Sequence, residues 1–458
     1  TLTLGDGVTN YHLSPNGKKM VVRQGGDYKV HGAGKGFKKA DKVSLKGIRL
    51  RVVRDEEYRQ IFAEAWRVQR DWFYDQGMHG TDWDAIRVKY EQFLPWCGHR
   101  DDLRYLIGEM IGELNIGHTY IYGGDYQGGG VRVGVGLLGC DFAVGDEGYR
   151  IANILPGWAW KETWNSPLAA PGVGVNEGDV LVAVDGVALS ASVSPYAALV
   201  DKAGKVVELT FSDDRVVKVQ TLRNERNLRY RGWVEGNRAK VDELSGGRLG
   251  YVHLPNMMEP GLIEFARYFY AQSGKEGFVI DERYNGGGFV GDMIIDRMER
   301  ELWSMTIPRE GKVGRDPERA FHGPMVVLIN EDTGSNGEFF AQAIKQKDLA
   351  RVIGVRTWGG SVGIEAHQDL VDGGVTTPPQ FGIFGIRSGD WLIEGWGVEP
   401  DDVVRNLPAD VVAGGGAQLQ AGVDYLLGEL SRDGARWAIP GVPEYPDKSR
   451  PNMSGVNR

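Results

Sequence analysis

Val326-Val327-Leu328-Ile329-Asn330-Glu331-Asp332-Thr333-Gly334-Ser335-Asn336-Gly337-Glu338 is the stretch on which the fold turns. An unbroken apolar run, Pro324 to Asn330, reads as a buried strand. A short turn follows, and residues Ser335 to Lys345 read as a helix. A serine at a helix start, flanked by glycines, has an exposed hydroxyl among unpaired N–H groups. There the helix dipole favours a developing oxyanion. On this motif alone the alternative is an ordinary N-cap serine.

Working outward, a second junction lies upstream: Phe278-Val279-Ile280-Asp281-Glu282-Arg283-Tyr284-Asn285-Gly286-Gly287-Gly288. It closes a buried strand, Gly277 to Asp281, and opens a helix, Phe289 to Arg300. Successive glycines let backbone approach a ligand and present free N–H groups. No Lys-Ser/Thr follows, so a Walker loop is excluded. Strand Leu249 to Leu254 and helix Gly261 to Ala271 extend the alternation, which predicts an α/β layer.

Ahead of this layer the pattern changes twice. Residues 55 to 115 read as helical, with stripes at Tyr58, Ile61, Phe62, Ala65, Trp66, Trp72, Phe73 and at Leu103, Leu106, Ile107, Met110, Ile111, Leu114. Asp101 or Asp102 is the expected cap of the second helix and Asn115 its stop. His118 follows, before a short strand Thr119 to Tyr122. Between 131 and 220, strands Val131 to Leu138, Tyr149 to Ile154, Val180 to Val184 and Val206 to Phe211 are divided by Gly, Asp and Pro turns. Asn176 to Gly186 resembles the signature strand and turn of PDZ domains. Residues 1 to 40 read as two short strands and a basic Gly-rich loop, either a remnant of a propeller-like region or an ordinary hairpin.

The chain has 458 residues and a formal net charge of −9, and no basic run is interleaved with aromatics. Nucleic-acid binding is therefore not expected. Its two cysteines, Cys97 and Cys140, cannot form a disulfide framework, and no apolar run reaches bilayer length. The expectation is a cytoplasmic protein with no membrane segment. His253, His322 and His367 show no metal-ligand spacing, so neither a metal nor an organic cofactor is expected.

Taken together, the two junctions resemble the serine peptidases related to C-terminal-processing proteases and tricorn. C-terminal-processing proteases pair serine with a lysine some two dozen residues on. Here that region, Arg356 to Ile364, has no lysine, and Lys345 and Lys347 come too early. The resemblance is to the tricorn branch, carried by Leu114-Asn115-Ile116-Gly117-His118-Thr119-Tyr120, Arg231 to Arg238, Thr357 to Gly360 and Glu394 to Asp401.

That resemblance implies a multidomain α+β and α/β fold: an N-terminal β region (1–40), a helical domain (41–130), a PDZ-like domain (131–222), an α/β catalytic domain (223–435) and an irregular tail (436–458). It implies a serine endopeptidase in which Ser335 attacks, His118 shuttles the proton and Glu394 orients the imidazole. Glu399 is the nearby competitor. Backbone N–H groups of Gly288 and Asn336 would form the oxyanion hole. The family serine before the histidine is Gly117 here, and a backbone carbonyl or water could replace its hydroxyl. The position that selects basic side chains falls on Thr306, which implies apolar or mixed P1 residues. Peptide substrates and a homo-oligomer, a hexamer, complete the expectation. The rival readings are an inactive binding protein and a PDZ-based docking adaptor on the same fold.

Overall fold

The computed structural model describes residues 6–34, 41–126, 130–145, 148–157, 164–366 and 368–446. The expected basic loop (35–40), His367 and the end of the tail (447–458) lie outside them. The chain divides into two compact units, one up to Arg59 and one from Gln60 onward. The first holds a four-stranded antiparallel meander, Val8–Leu13, Lys19–Gln24, Asp27–Gly32 and Asp41–Val43. This corrects the two strands expected, because the turns at Gly17 and Gly25, both at positive φ, close two successive hairpins.

The larger unit contains three parts. Helices Trp83–Glu91 and Arg100–Gly112 follow the long helix Arg54–Trp72. All six residues of the Leu103–Leu114 stripe are buried, whereas Trp72 is exposed, contrary to the reading of the first stripe. The cap of the Arg100–Gly112 helix is His99, not Asp101 or Asp102. A His99 ring nitrogen accepts the Asp102 N–H while the Asp102 carboxylate takes the N–H groups of Gly98 and His99, the reciprocal arrangement of a capping box. Asn115, at φ 49°, then turns the chain toward His118.

A PDZ-like sheet follows, in the order Val216–Gln220, Val206–Phe211, Val180–Val184, Tyr149–Ile154, Cys140–Val144. Asp185 and Gly186 both take positive φ, the geometry a two-residue hairpin turn needs. The expected strand Val131 to Leu138 is absent. Gly136 and Leu137 donate to carbonyls of two different segments, Leu199 and Leu222, so only isolated bridges form.

The third part is the α/β layer. Helix α1 (Arg226–Ser245) leads into strand β1 (Leu249–His253), then α2 (Glu259–Ala271), β2 (Gly277–Asp281), α3 (Gly291–Met298), β3 (Met325–Ile329), α4 (Asn336–Gln346), β4 (Arg351–Gly354), β5 (Asp402–Val403) and α5 (Ala417–Arg432). The five strands are parallel, and their order in the sheet follows the chain. Side chains alternate between faces. Phe278, Ile280, Val327 and Ile329 join a core with Phe269 and Phe340, while Val279, Val326 and Leu328 join one with Val423 and Leu426. Burial on both faces explains the continuous apolar runs. Truncating one such Leu or Ile to Ala costs about 2–5 kcal/mol.

Candidate active site

Strands β2 and β3 are parallel neighbours, so the two junctions leave the same sheet edge side by side. Hydrogen bonds sew them together. Gly334 N–H donates to the Asn285 carbonyl (2.9 Å), Tyr284 N–H to Asn330 Oδ1 (2.8 Å) and Thr333 Oγ1 to the Glu282 carbonyl (3.0 Å). The Asp281–Arg283 ion pair (2.6 Å) is buried beneath, and Tyr251 donates to Asp281 at 2.8 Å.

Ser335 is the N-cap residue of α4, as a bland reading would have it, but its backbone is not that of an ordinary cap. Caps take extended conformations. Ser335 sits at φ 52°, ψ −125°, a region costly for a residue with a side chain and held only where its surroundings over-determine it. Its N–H donates to Glu338 Oε2 at 3.0 Å. Gly287 lies so close that a Cβ there would stand 2.6 Å from the Ser335 Cβ.

Gly288 has φ 147°, and a Cβ on it would collide with the Met257 carbonyl. Its neighbours pair with Met257: Met257 N–H donates to Gly287 O, and Phe289 N–H to Met257 O. Among the described residues no acceptor takes the N–H of Gly288 or of Asn336. The Asn336 side chain is occupied elsewhere, its Oδ1 accepting the Gly291 N–H at 3.0 Å.

His118 is buried (8% exposed), and its Nδ1 lies 2.6 Å from the Val362 carbonyl. A carbonyl only accepts, so Nδ1 carries the proton and Nε2 is left as the basic nitrogen. Burial lowers the pKa below the ordinary imidazole value, against the opposing pull of the Val362 carbonyl and the Glu394 charge. The ring meets Trp358 edge-on, centroids 5.6 Å apart. Trp358 in turn packs its ring against Gly334, so one side chain touches both the histidine and the loop before Ser335, and its backbone N–H donates to Thr333 O.

Glu394 is placed beside the histidine but does not bind it. Its Oε2 accepts the N–H groups of Ser361 (2.7 Å) and Val362 (3.0 Å), and its Oε1 that of Gly117 (3.2 Å). The direct imidazole contact of a triad acid is replaced by one step of backbone. A Cβ at Gly117 would stand 3.9 Å from Glu394 Oε1, so a side chain there would point at this carboxylate. Glu399 is a surface residue near Arg356. Lys345 and Lys347 are engaged with Asp401 and Glu299.

Thr306 is exposed on the hairpin Ser304–Thr306/Gly314–Asp316 and lines a cleft of about 400 Å³ with Trp303, Met305, Val313 and the segment 439–443. None of the other five expected residues lines that cleft. Three residues of the site escaped sequence reasoning. The Val362 carbonyl left no signal, since backbone acceptors have none. Glu338 did, through the capping-box spacing Ser335-x-x-Glu338. Glu282 is fully buried with neither carboxyl oxygen bonded, and its Oε1 lies 3.0 Å from where a Gly337 Cβ would be. Burial, then the charges of Glu338 and Asp281, push its carboxyl well above the ordinary range, so it is held neutral.

Residues 248–404 match Peptidase family S41, which gives the class of the α/β layer. Residues 136–224 match the tricorn protease PDZ domain and residues 54–112 the tricorn protease C1 domain. Three successive regions of the chain are thus similar to tricorn protease domains and to Peptidase family S41. It is 36% identical to tricorn protease homolog 1 of Streptomyces coelicolor over 452 residues, covering 96% of this chain and 42% of that protein. It is 34% identical to the tricorn protease of Thermoplasma acidophilum, covering 82% of this chain and 35% of that one. The crystal structure of the tricorn protease superposes with a TM-score of 0.87 at 32% identity, over 93% of this chain and 42% of that chain. The chain thus spans less than half the length of these relatives.

Proposed function

We propose that the protein is a serine endopeptidase acting on oligopeptides or proteins. Ser335 Oγ attacks the scissile carbonyl and passes its proton to His118 Nε2, which returns it to the leaving amine. The N–H groups of Gly288 and Asn336 receive the oxyanion. The observation that carries this reading is the strained backbone of Ser335 beside two N–H groups without acceptors. Glu394 supports the base by holding Gly117 and Val362 in place.

Exposed apolar side chains stand next to the glycine loop and the serine turn: Phe289, Tyr284, Met258 and Trp358. They favour apolar residues at P1, a preference carried by these groups more than by Thr306. A homo-oligomer and a cytoplasmic location belong to the same proposal, and light scattering of the purified protein checks the first.

A fluorophosphonate probe is expected to label the wild type and not Ser335→Ala, with peptide turnover falling by about 10⁴–10⁶ in the variant. Equal labelling of both proteins, or of neither, would refute the nucleophile assignment. Faster cleavage after Arg than after Leu or Phe in matched fluorogenic peptides would refute the P1 preference.

A further inference from the structure

Four successive backbone N–H groups, those of residues 359 to 362, point into two carboxylates. Gly359 and Gly360 donate to Glu338 (2.7 and 3.0 Å), and Ser361 and Val362 to Glu394 (2.7 and 3.0 Å). Thr357 Oγ1 adds a 2.6 Å bond to Glu338 Oε1. The strap from Thr357 to Val362 therefore hangs between two anions, and among the described residues no Lys or Arg pairs with either. Oriented N–H groups supply the countercharge.

A capping box uses one carboxylate oxygen to serve one N–H. Glu338 does more: fully buried, it accepts four donors, one from Ser335 itself and three from the strap. The far end of the strap is Val362, whose carbonyl fixes His118 Nδ1. Burial raises both the Glu338 and the Glu282 carboxyl, but only in Glu338 do bonded donors, from Thr357, Gly359, Gly360 and Ser335, pull the other way.

We propose that Glu338 is a positioning residue for catalysis, tying the backbone of Ser335 to the strap that holds His118 so that nucleophile and base keep one geometry. This inference rests on the Ser335–His118 reading above. Loosening the strap frees the imidazole from Val362 and Trp358. The groups facing that ring are Tyr120, Trp358, the Val362 carbonyl and the charge of Glu394, while Glu338 itself faces Glu282. Burial is the largest influence on His118, so rehydration moves its pKa upward.

The experiment measures pH profiles of kcat and KM on an apolar fluorogenic peptide, with fluorophosphonate labelling in parallel. In Glu338→Gln, kcat is expected to fall about 10²-fold with KM within about twofold, since small misplacements of reacting groups cost that much. The acid limb of kcat/KM should move to higher pH. Thr357→Val, which removes one strap donor, is expected to lose about tenfold and shift the limb the same way, and Thr357→Ser to restore both. Phe269→Leu, in the core of α2, lowers Tm and leaves the limb in place. If Glu338→Gln does not fold, the Thr357 pair decides. A labelled wild type whose Glu338 and Thr357 variants keep the acid limb, or simply track Phe269→Leu, overturns this inference alone. An unlabelled wild type overturns the peptidase reading and the inference with it.

Discussion

The β2–α3 and β3–α4 junctions leave one sheet edge together and solve opposite problems. The first gives up side chains: Gly287 and Gly288 take φ 91° and 147°, and backbone from Met257 closes against them. The second keeps a side chain where glycine would be easier, with Ser335 at φ 52°. An oxyanion site needs bare N–H groups brought close, whereas a nucleophile needs a hydroxyl thrust out of a tight turn. In the proposed mechanism the first junction offers the Gly288 N–H and the second both the Ser335 hydroxyl and the Asn336 N–H, and the bond from Gly334 N–H to Asn285 O ties the two together.

The division can be broken first at its crowded half. Gly288→Ala drives a methyl group into the Met257 carbonyl and displaces the proposed oxyanion N–H. A loss of about 10²–10³ in kcat is expected, with labelling of Ser335 slowed in proportion. An Ala variant with wild-type turnover would show that Gly288 gives no oxyanion contact.

Asn336→Ala sharpens the contrast. Its backbone N–H survives, and only the side-chain bond to Gly291 is lost. Kinetics should show a fall of at most about tenfold, the scale of one hydrogen bond.

The smallest effect concerns what lies beneath. Asp281 and Arg283 turn to one side and pair, whereas Glu282 between them has no partner. With its folded pKa raised above the unfolded 4.5, Glu282 keeps a proton that the unfolded chain releases as pH rises. Its contribution to stability is whole below pH 4.5 and is lost as pH climbs toward the folded value. Glu282→Gln carries no such proton. Denaturant unfolding should find the variant more stable by on the order of 1 kcal/mol at about pH 8, with the gain vanishing in acid. An equal difference at both pH values would show that Glu282 is not neutral in the folded protein.

Much of this was open to reading. The β2, β3, α2 and α4 boundaries fall within about two residues of those that periodicity and turn residues indicate, the ordinary tolerance of element ends. Ser335 and the Gly286–Gly288 run announced themselves by chemistry. The misses share a cause. Val131 to Leu138 has a strand's composition, yet its N–H groups go to two different segments. Asp102 looks like a cap, yet the cap is formed by the histidine before the helix, with Asp102 answering it from the third helical position.

The amino-acid sequence by itself determined the order of strands and helices and the chemistry of the two junctions, since apolar period, glycine and helix-start residues act over a few neighbours. Tertiary structure alone decided that the Val362 carbonyl, not the Glu394 carboxylate, accepts the hydrogen bond from His118 Nδ1–H, and that Glu338 and Glu394 share four consecutive N–H groups. Residues 118, 338, 362 and 394 are strangers along the chain, and a backbone acceptor has no letter in the sequence. Only packing could introduce them.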